Sequence, residues 1–176
     1  MAKALNTVGC RTVGSTSEIK YKPIGIIHTP FKEPMGTPIQ PTAAKGVKGR
    51  VEVFPEYAEG LEDLEGFSHI ILIYHFHLVK RALLKVKPFM DDRVHGVFAT
   101  RSPSRPNPIG ISVVRLIGIK ANVLYVSDVD IVDGTPLLDI KPYVPEFDVR
   151  EVKRIGWLKG NVHKLPKSRD DGRFVK

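Results

Sequence analysis

Along the chain, apolar and polar residues alternate in some segments, and apolar residues form short runs in others. The lengths of these segments are typical of β-strands. The strongest segment, residues 67–77 (FSHIILIYHFH), has an apolar centre that indicates a strand buried on both faces or in a barrel wall. No segment predicts a helix of ten residues, although a helical turn is expected at Glu56–Glu59, after Pro55. The predicted strands cover residues 21–29, 46–54, 67–77, 94–100, 111–120, 124–132 and 137–141.

This order of elements predicts an all-β domain. About seven strands at this length favour a closed or nearly closed single-sheet β-barrel with long loops and few short helices. Residues 31–44 contain Pro34, Pro38 and Pro41, and no regular element is expected there. Residues 149–158 are expected to form a short strand or a turn that packs Trp157.

The loop between two of the predicted strands, residues 101–110 (RSPSRPNPIG), carries three prolines and two arginines. Each proline restricts its own backbone and that of the residue before it, so few conformations remain to be lost on folding. The result is a stiff, donor-rich segment held between strands. Such a loop is suited to hold a ligand, and a rigid surface connection is the alternative.

Length and composition describe one folded domain. The chain has 176 residues, of which 42% are hydrophobic and 26% charged. No apolar run approaches the ~18 residues that span a bilayer, and the first residues lack the apolar core of a signal peptide. A single cysteine, Cys10, excludes an intrachain disulfide and favours a cytoplasmic location. Residues 1–20 are predicted to be a disordered leader.

Positive charge is concentrated toward the end of the sequence. Residues 153–176 carry a net charge of +6 out of +8 for the whole chain. We expect residues 159–176 to form a basic tail. Such a tail suggests a polyanionic partner, most simply nucleic acid, or else serves as a solubilising terminus.

Four further groups of residues carry side chains that can bind a ligand or take part in catalysis. Gln40, between two prolines, offers amide hydrogen bonds. His69, His75 and His77 resemble a metal-ligand set, but histidines bonded to backbone groups at a barrel rim are the alternative. Residues 130–136 place carboxylates at a strand end, facing a ligand or closing their own turn. Asp139 and Lys141 lie on one strand face, where they can simply pair.

Six blocks in a fixed order resemble the TsaA-like family, and they cover residues 21–158. The blocks are PIG through TPF at 23–31, GxPxQ at 36–40, LEGFSH through His77 at 64–77, GVFATRS at 96–102, RPNPIG at 105–110, and DGTP through DIKPY at 133–143. The resemblance implies a single-sheet β-barrel domain, residues 21–158, that is usually a homodimer and binds S-adenosylmethionine. It also implies methylation of the N6 nitrogen of threonylcarbamoyl-adenosine, beside the anticodon of tRNA.

The resemblance also implies the site. Carried over by motif, the cofactor contacts fall at Pro38, Ile39, Gln40, His77, Leu78, Arg101, Ile111, Asp130, Ile131, Val132 and Asp133. Arg101 or Arg105 suits a carboxylate or phosphate held bidentately. An acidic residue, Asp130 or Asp133, suits the sulfonium cation or the ribose. Substrate or RNA contacts are expected at Arg105, Asn107 and Lys141, and no metal is expected.

Methyl transfer is an in-line displacement, so positioning carries much of the rate. The attacking nitrogen must lose a proton, and His77 or Asp133 is the candidate acceptor. The chain departs from the family pattern at Ile39, where an arginine is common, and at Ser104, where an aromatic residue is usual. Longer members also carry a further domain after the barrel.

Three other functions compete with this interpretation. One is a barrel that binds nucleic acid without catalysis, which predicts aromatic residues exposed on a strand face. Another keeps the cofactor but methylates a different acceptor. The third is a small metal hydrolase that uses His69, His75 and His77.

Overall fold

The computed structural model describes residues 18–175, so most of the predicted leader, with Cys10, lies outside the described residues. The barrel strands are β1 (Gly25–His28), β2 (Lys48–Val53), β3 (His69–His75), β6 (Ile109–Lys120), β7 (Val123–Ser127) and β8 (Thr135–Pro142). These six strands form a closed antiparallel barrel in the order β1-β2-β7-β6-β3-β8. The predicted all-β barrel is confirmed, with six strands in its wall rather than about seven.

The barrel interior is filled by the side chains that point inward from every second position of each strand. On β3, Ile70, Leu72 and Tyr74 point inward and are buried, whereas Ile71 and Ile73 are half-buried on the outer face. A strand alternates its side chains between two faces, so the apolar run in this strand serves both the core and the outer surface. The remaining core consists of Ile27, Val51, Val53, Val114, Leu116, Leu124, Val126, Val129, Ile131 and Leu137.

A small second sheet lies outside the barrel. It pairs β4 (Lys85–Val86) with β5 (His95–Gly96), and a 3-10 helix follows at Val97–Ala99. The predicted strand at residues 94–100 is therefore wrong beyond Gly96. The chain turns here because Val97 is buried in a separate cluster with Val86 and Phe174, away from the barrel interior.

The other elements are short. The remaining 3-10 helices of the described residues are Pro41–Ala43, Pro55–Leu61, Leu64–Gly66, Gly156–Gly160 and Val162–Lys167, and α1 is Pro145–Asp148. The helical turn expected at Glu56–Glu59 is confirmed, with Pro55 in its first turn. Trp157 lies in a 3-10 helix rather than a strand, and its indole Nε1 donates to Ala99 O at 2.8 Å. Within residues 18–175, none of the helices has the length and apolar character needed to cross a bilayer.

The antiparallel order brings three long loops to one end of the barrel. His75 at the end of β3 pairs with Ile109 at the start of β6, and Ile27 near the end of β1 pairs with Thr135 at the start of β8. The connections at residues 29–47, 76–108 and 128–134 therefore leave from the same rim. This rim holds the stiff loop, the segment with Gln40, and residues 130–134.

Candidate functional site

The three loops enclose a cavity of about 290 Å³ at this rim. Its wall is largely apolar, with a few polar groups, as in many small-molecule sites. Ten residues predicted from the sequence to contact a cofactor line the cavity: Pro38, Ile39, Gln40, His77, Leu78, Arg101, Ile111, Asp130, Ile131 and Val132. The structure thus brings together side chains from four separate parts of the sequence.

Arg101 and Gln40 join two of the loops. The guanidinium Nη1 of Arg101 donates to Gln40 Oε1 at 2.6 Å, and Gln40 Nε2 donates to Ile39 O at 2.6 Å. In the part of the chain that the structure describes, no carboxylate lies within 4.0 Å of the Arg101 guanidinium. Its side chain is exposed, so its remaining N–H groups and its charge are available to an anionic ligand.

Arg105 has a different role within the same stiff loop. Its Nη1 donates to Val97 O at 3.2 Å and to Thr100 O at 2.9 Å, and its guanidinium lies 5.6 Å from the centre of the Phe98 ring. These bonds tie the loop to the 3-10 helix before it. Arg105 therefore stabilises the backbone that carries Arg101, besides lining the cavity.

Asp130 is one of two carboxylates in the cavity lining, the other being Asp170, and it is held by a network of hydroxyl groups. Ser112 Oγ donates to Asp130 Oδ1 at 2.6 Å, and Tyr74 Oη lies 3.1 Å from Ser112 Oγ. Burial raises the pKa of Asp130 to about 6, although the hydrogen bond from Ser112 acts in the opposite direction. Burial, with the nearby Asp130 charge, also raises the pKa of the Tyr74 phenol. A carboxylate in such a place attracts a cationic ligand, which would relieve its poor solvation.

Gly110 leaves the space that the Tyr74 ring occupies. A Cβ atom built on Gly110 would lie 2.2 Å from one carbon of that ring and 2.4 Å from another. Tyr74 is directly opposite Gly110 in the pairing of β3 with β6. The glycine is needed here for close approach rather than for an unusual backbone conformation.

The tautomer of His77 follows from its neighbour. Thr135 Oγ1 donates its single proton to Val132 O at 2.6 Å, so it can only accept from His77 Nδ1, which is 3.4 Å away. The ring then carries its proton on Nδ1 and leaves the Nε2 lone pair free. Burial lowers the pKa of His77, and His75 lowers it further, so the ring is neutral at pH 7.

The structure turns Asp133 away from the lining, although the sequence pattern groups it with Asp130. Its Oδ1 accepts from Thr29 N at 2.9 Å, and its Oδ2 accepts from Lys32 Nζ at 2.8 Å. The Lys32 ammonium holds the pKa of Asp133 below its usual range. A carboxylate engaged in this way is a weak base, so the geometry favours His77 over Asp133 as a proton acceptor.

Two predicted substrate contacts lie outside the cavity lining, which contains neither Asn107 nor Lys141. Lys141 Nζ pairs with Asp139 Oδ2 at 2.7 Å. This is the ion pair that their positions on one strand face predict. Asn107 is exposed in the stiff loop, where its carbonyl accepts from Ile109 N at 2.8 Å.

The three histidines do not form a shared site. His69 and His75 are half-buried on the outer face of β3, and His69 packs edge-on against Tyr143. Across residues 18–175, no group of three or more His, Cys, Asp or Glu side chains is arranged to hold a metal ion. The geometry therefore gives no support to the metal hydrolase alternative.

Some residues in or next to the cavity were missed from the sequence: Ser112 lies outside the lining but donates to Asp130, and two others line the cavity. Ser112 points into the barrel from β6, between apolar residues that point the same way. A polar side chain at such a position indicates a buried hydrogen-bond partner. That signal could have led to Asp130 and Tyr74. Asp170 and Val175 also line the cavity, and no local pattern in the basic segment pointed to them.

Comparison with known proteins gives a consistent set of relatives. The sequence profile of the tRNA-methyltransferase O N-terminal domain matches residues 26–149. The "probable S-adenosyl-L-methionine-binding protein" of Pyrococcus abyssi is 70% identical over 156 residues, which cover 89% of this chain and 85% of that protein. The S-adenosyl-L-methionine-binding protein of Archaeoglobus fulgidus is 43% identical over 127 residues, covering 72% of this chain and 91% of that protein.

Two longer proteins are also similar. The crystal structure of TrmO from Pseudomonas aeruginosa superposes with a TM-score of 0.67 at 42% identity, covering 80% of this chain and 62% of that one. The tRNA (adenine(37)-N6)-methyltransferase of Mus musculus is 38% identical over 134 residues, which cover 72% of this chain and 31% of that enzyme. The chain thus spans about three fifths of the bacterial protein and about a third of the mouse enzyme.

The Gly110→Ala variant should be destabilised by about 1–3 kcal/mol, because the added methyl group forces the Tyr74 ring out of its position. Gly118→Ala on the same strand is the matched control, since a Cβ there meets no atom within 4 Å. Urea denaturation of both variants measures the difference. Equal free energies of unfolding would contradict the assigned packing of Tyr74.

The Asp130→Asn variant should be more stable than the wild type at pH 8, by up to about 3 kcal/mol. The folded carboxyl has a pKa of about 6 against an ordinary value of 3.8, so the folded protein binds the proton more tightly than the unfolded chain. The wild type therefore loses stability as pH rises from about 4 to about 6, whereas the amide of the variant does not titrate. Denaturation at pH 4 and pH 8 tests this. A stability difference that does not change with pH would refute the burial of the charge.

Proposed function

Because this chain belongs to the family of tRNA-methyltransferase O N-terminal domains, we propose that it is an S-adenosylmethionine-dependent tRNA methyltransferase. The proposed acceptor is the N6 nitrogen of threonylcarbamoyl-adenosine beside the tRNA anticodon. The single observation that carries the proposal is the convergence of ten motif residues, from four segments, on one cavity. Relatives named for binding S-adenosylmethionine support the cofactor, and the tRNA acceptor draws on more distant relatives.

The charges of the cavity fit the proposed cofactor. S-adenosylmethionine combines a carboxylate with two cationic groups, an ammonium and a sulfonium. Arg101 offers an exposed guanidinium for the carboxylate, and Asp130 offers a half-buried carboxylate for a cation. The apolar side chains of Ile39, Leu78 and Ile131 surround the rest of the space. Ile39 lines the cavity without the charge that arginine gives other family members, so Arg101 carries the larger share of anion binding.

The protein contributes mainly alignment and proton removal. The cofactor supplies a methyl group that is activated by attachment to a positively charged sulfur. The stiff loop holds Arg101 in place before binding, so little ordering entropy is lost there. His77 accepts the proton of the attacking nitrogen on Nε2, because Nδ1 is engaged with Thr135. The His77 imidazole would then hold this proton on Nε2 while its Nδ1–H stays directed at Thr135 Oγ1.

Recognition of tRNA needs positive charge outside the cavity. Lys80 and Arg81 are exposed, and they follow Val79, which lines the cavity. Asn107, at an exposed position of the stiff loop, offers an amide to the RNA. Arg105, which also lines the cavity, acts both through the loop it supports and through contact with the substrate. The contact expected at Lys141 requires RNA to reach β8 and to compete with Asp139.

A homodimer in the cytoplasm is the proposed form of the protein. Support comes from large apolar side chains exposed along β6, where Ile111 is 52% exposed and Ile117 is 60% exposed. Ile111 also lines the cavity, so a second subunit on this face would lie beside the site.

A second candidate function is methyl transfer to an acceptor other than tRNA. Among the relatives compared, the one that is 70% identical is named for binding S-adenosylmethionine and not for tRNA. A binding barrel without catalysis is less well supported, because Tyr74 is buried and Phe76 is half-buried, which leaves Tyr125, 46% exposed on β7, as the one exposed aromatic residue on the described barrel strands. Phe98 is 74% exposed, but it lies on a 3-10 helix rather than on a strand face.

The direct test is incubation of the purified protein with methyl-labelled S-adenosylmethionine and tRNA. We expect label in tRNA that carries the threonylcarbamoyl group and none in matched tRNA that lacks it. Binding of the cofactor without transfer to either tRNA would refute the tRNA acceptor and leave the second candidate function. Failure to bind the cofactor would refute both candidates.

Arg101→Ala should weaken S-adenosylmethionine binding at least about tenfold, because the carboxylate of the ligand loses a charged partner. Arg115→Ala is the control, since Arg115 is exposed on β6 and lies 3.7 Å from Asp128, outside the cavity. Titration calorimetry measures both variants. Unchanged binding to Arg101→Ala would remove this residue from the site.

A further inference from the structure

Residues 168–175, here called the strap, run beside the loop that carries Gln40. Gly36 N donates to Asp170 O at 2.8 Å, and Asp170 N donates to Thr37 O at 2.9 Å. An isolated antiparallel bridge also joins Pro38 to Arg169. Residues 30–40 contain no helix and no strand of their own. Pairing with the strap therefore supplies backbone order to a wall of the cavity that the barrel does not hold.

Phe174 anchors the strap. Its ring is 8% exposed and packs with Val86 and Val97 in the second hydrophobic cluster. It also meets the Phe89 ring edge-on, with 5.2 Å between the ring centres. Phe89 itself lines the cavity, so the anchor and the cavity share a side chain.

Polar contacts of two side chains, Arg173 and Ser104, hold the strap in place. Arg173 Nη1 donates to Lys87 O and to Pro88 O, both at 3.2 Å, and its guanidinium lies 4.9 Å from the centre of the Phe89 ring. Ser104 is buried, with 1% exposure, and its hydroxyl donates to Phe174 O at 3.4 Å. The small side chain at position 104 lets the strap lie against the stiff loop, which is the other wall of the cavity.

We propose that the strap is an integral wall of the cofactor site, and that Phe174 is a positioning residue for the Gly36–Gln40 loop. Detachment of the strap frees that loop and removes Asp170 and Val175 from the lining. Cofactor binding and strap docking are then coupled, and each favours the other by the same factor. This inference rests on the proposed binding of S-adenosylmethionine and is independent of the methyl acceptor.

The Phe174→Ala variant tests the anchor. We expect its dissociation constant for S-adenosylmethionine to rise at least about tenfold, while the barrel keeps its far-UV circular dichroism spectrum. Phe174→Leu keeps an apolar anchor and should recover most of the affinity, whereas Phe147→Ala, at a residue that is 69% exposed, should bind as the wild type does. Wild-type affinity in Phe174→Ala would overturn the proposal. Absence of binding in the wild type would instead overturn the proposed function.

Limited trypsin digestion tests whether cofactor binding keeps the strap docked. Lys167 and Arg169 flank the start of the strap, and Arg150 and Lys153 lie in an exposed segment that serves as an internal control. Saturating S-adenosylmethionine should slow cleavage after Lys167 and Arg169 at least about fivefold, because cleavage requires the open form. Cleavage after Arg150 and Lys153 should not change. Equal protection at all four sites, or at none, would refute the coupling.

Discussion

Closure of a six-stranded barrel is the constraint on which the rest of the structure depends. A barrel this small has an interior that its own side chains fill, so a ligand has no place among Ile70, Leu72 and Val114. Any binding site must be built at a rim, from loops. The antiparallel order places residues 29–47, 76–108 and 128–134 at one rim, and the cavity lies between them.

Loops outside a barrel need their own stabilisation, and here it comes from contacts between distant parts of the chain. Arg101 bonds to Gln40, which is 61 residues away, and Ser104 bonds to Phe174, which is 70 residues away. The prolines of residues 101–110 reduce the entropy that these contacts must overcome. Rigidity of the site is therefore shared between proline-restricted backbone and a few long-range bonds.

Asp130 shows how a group suited to bind a ligand opposes the stability of the fold. Burial of its carboxyl raises its pKa to about 6, so holding the charge at neutral pH costs folding free energy. The hydroxyl of Ser112 offsets part of that cost and also orients the carboxylate. A cationic ligand would offset more, which is why a poorly solvated acid in the lining of a cavity is suited to binding. The neighbouring Asp133 is paired with Lys32 and has the ordinary role of a structural acid.

The sequence by itself determined the barrel, since the two-residue period of inward and outward side chains is local and can be read along strands such as residues 67–77. It also determined the stiff loop with Arg101, because proline restricts the backbone wherever it stands. Tertiary structure decided which polar residues share a cavity. Asp130 and Asp133 look alike in sequence, yet one faces the cavity and the other faces Lys32. It also decided that residues 97–99 turn and that Phe174 packs beside the site, because these depend on contacts between distant residues that no local period encodes.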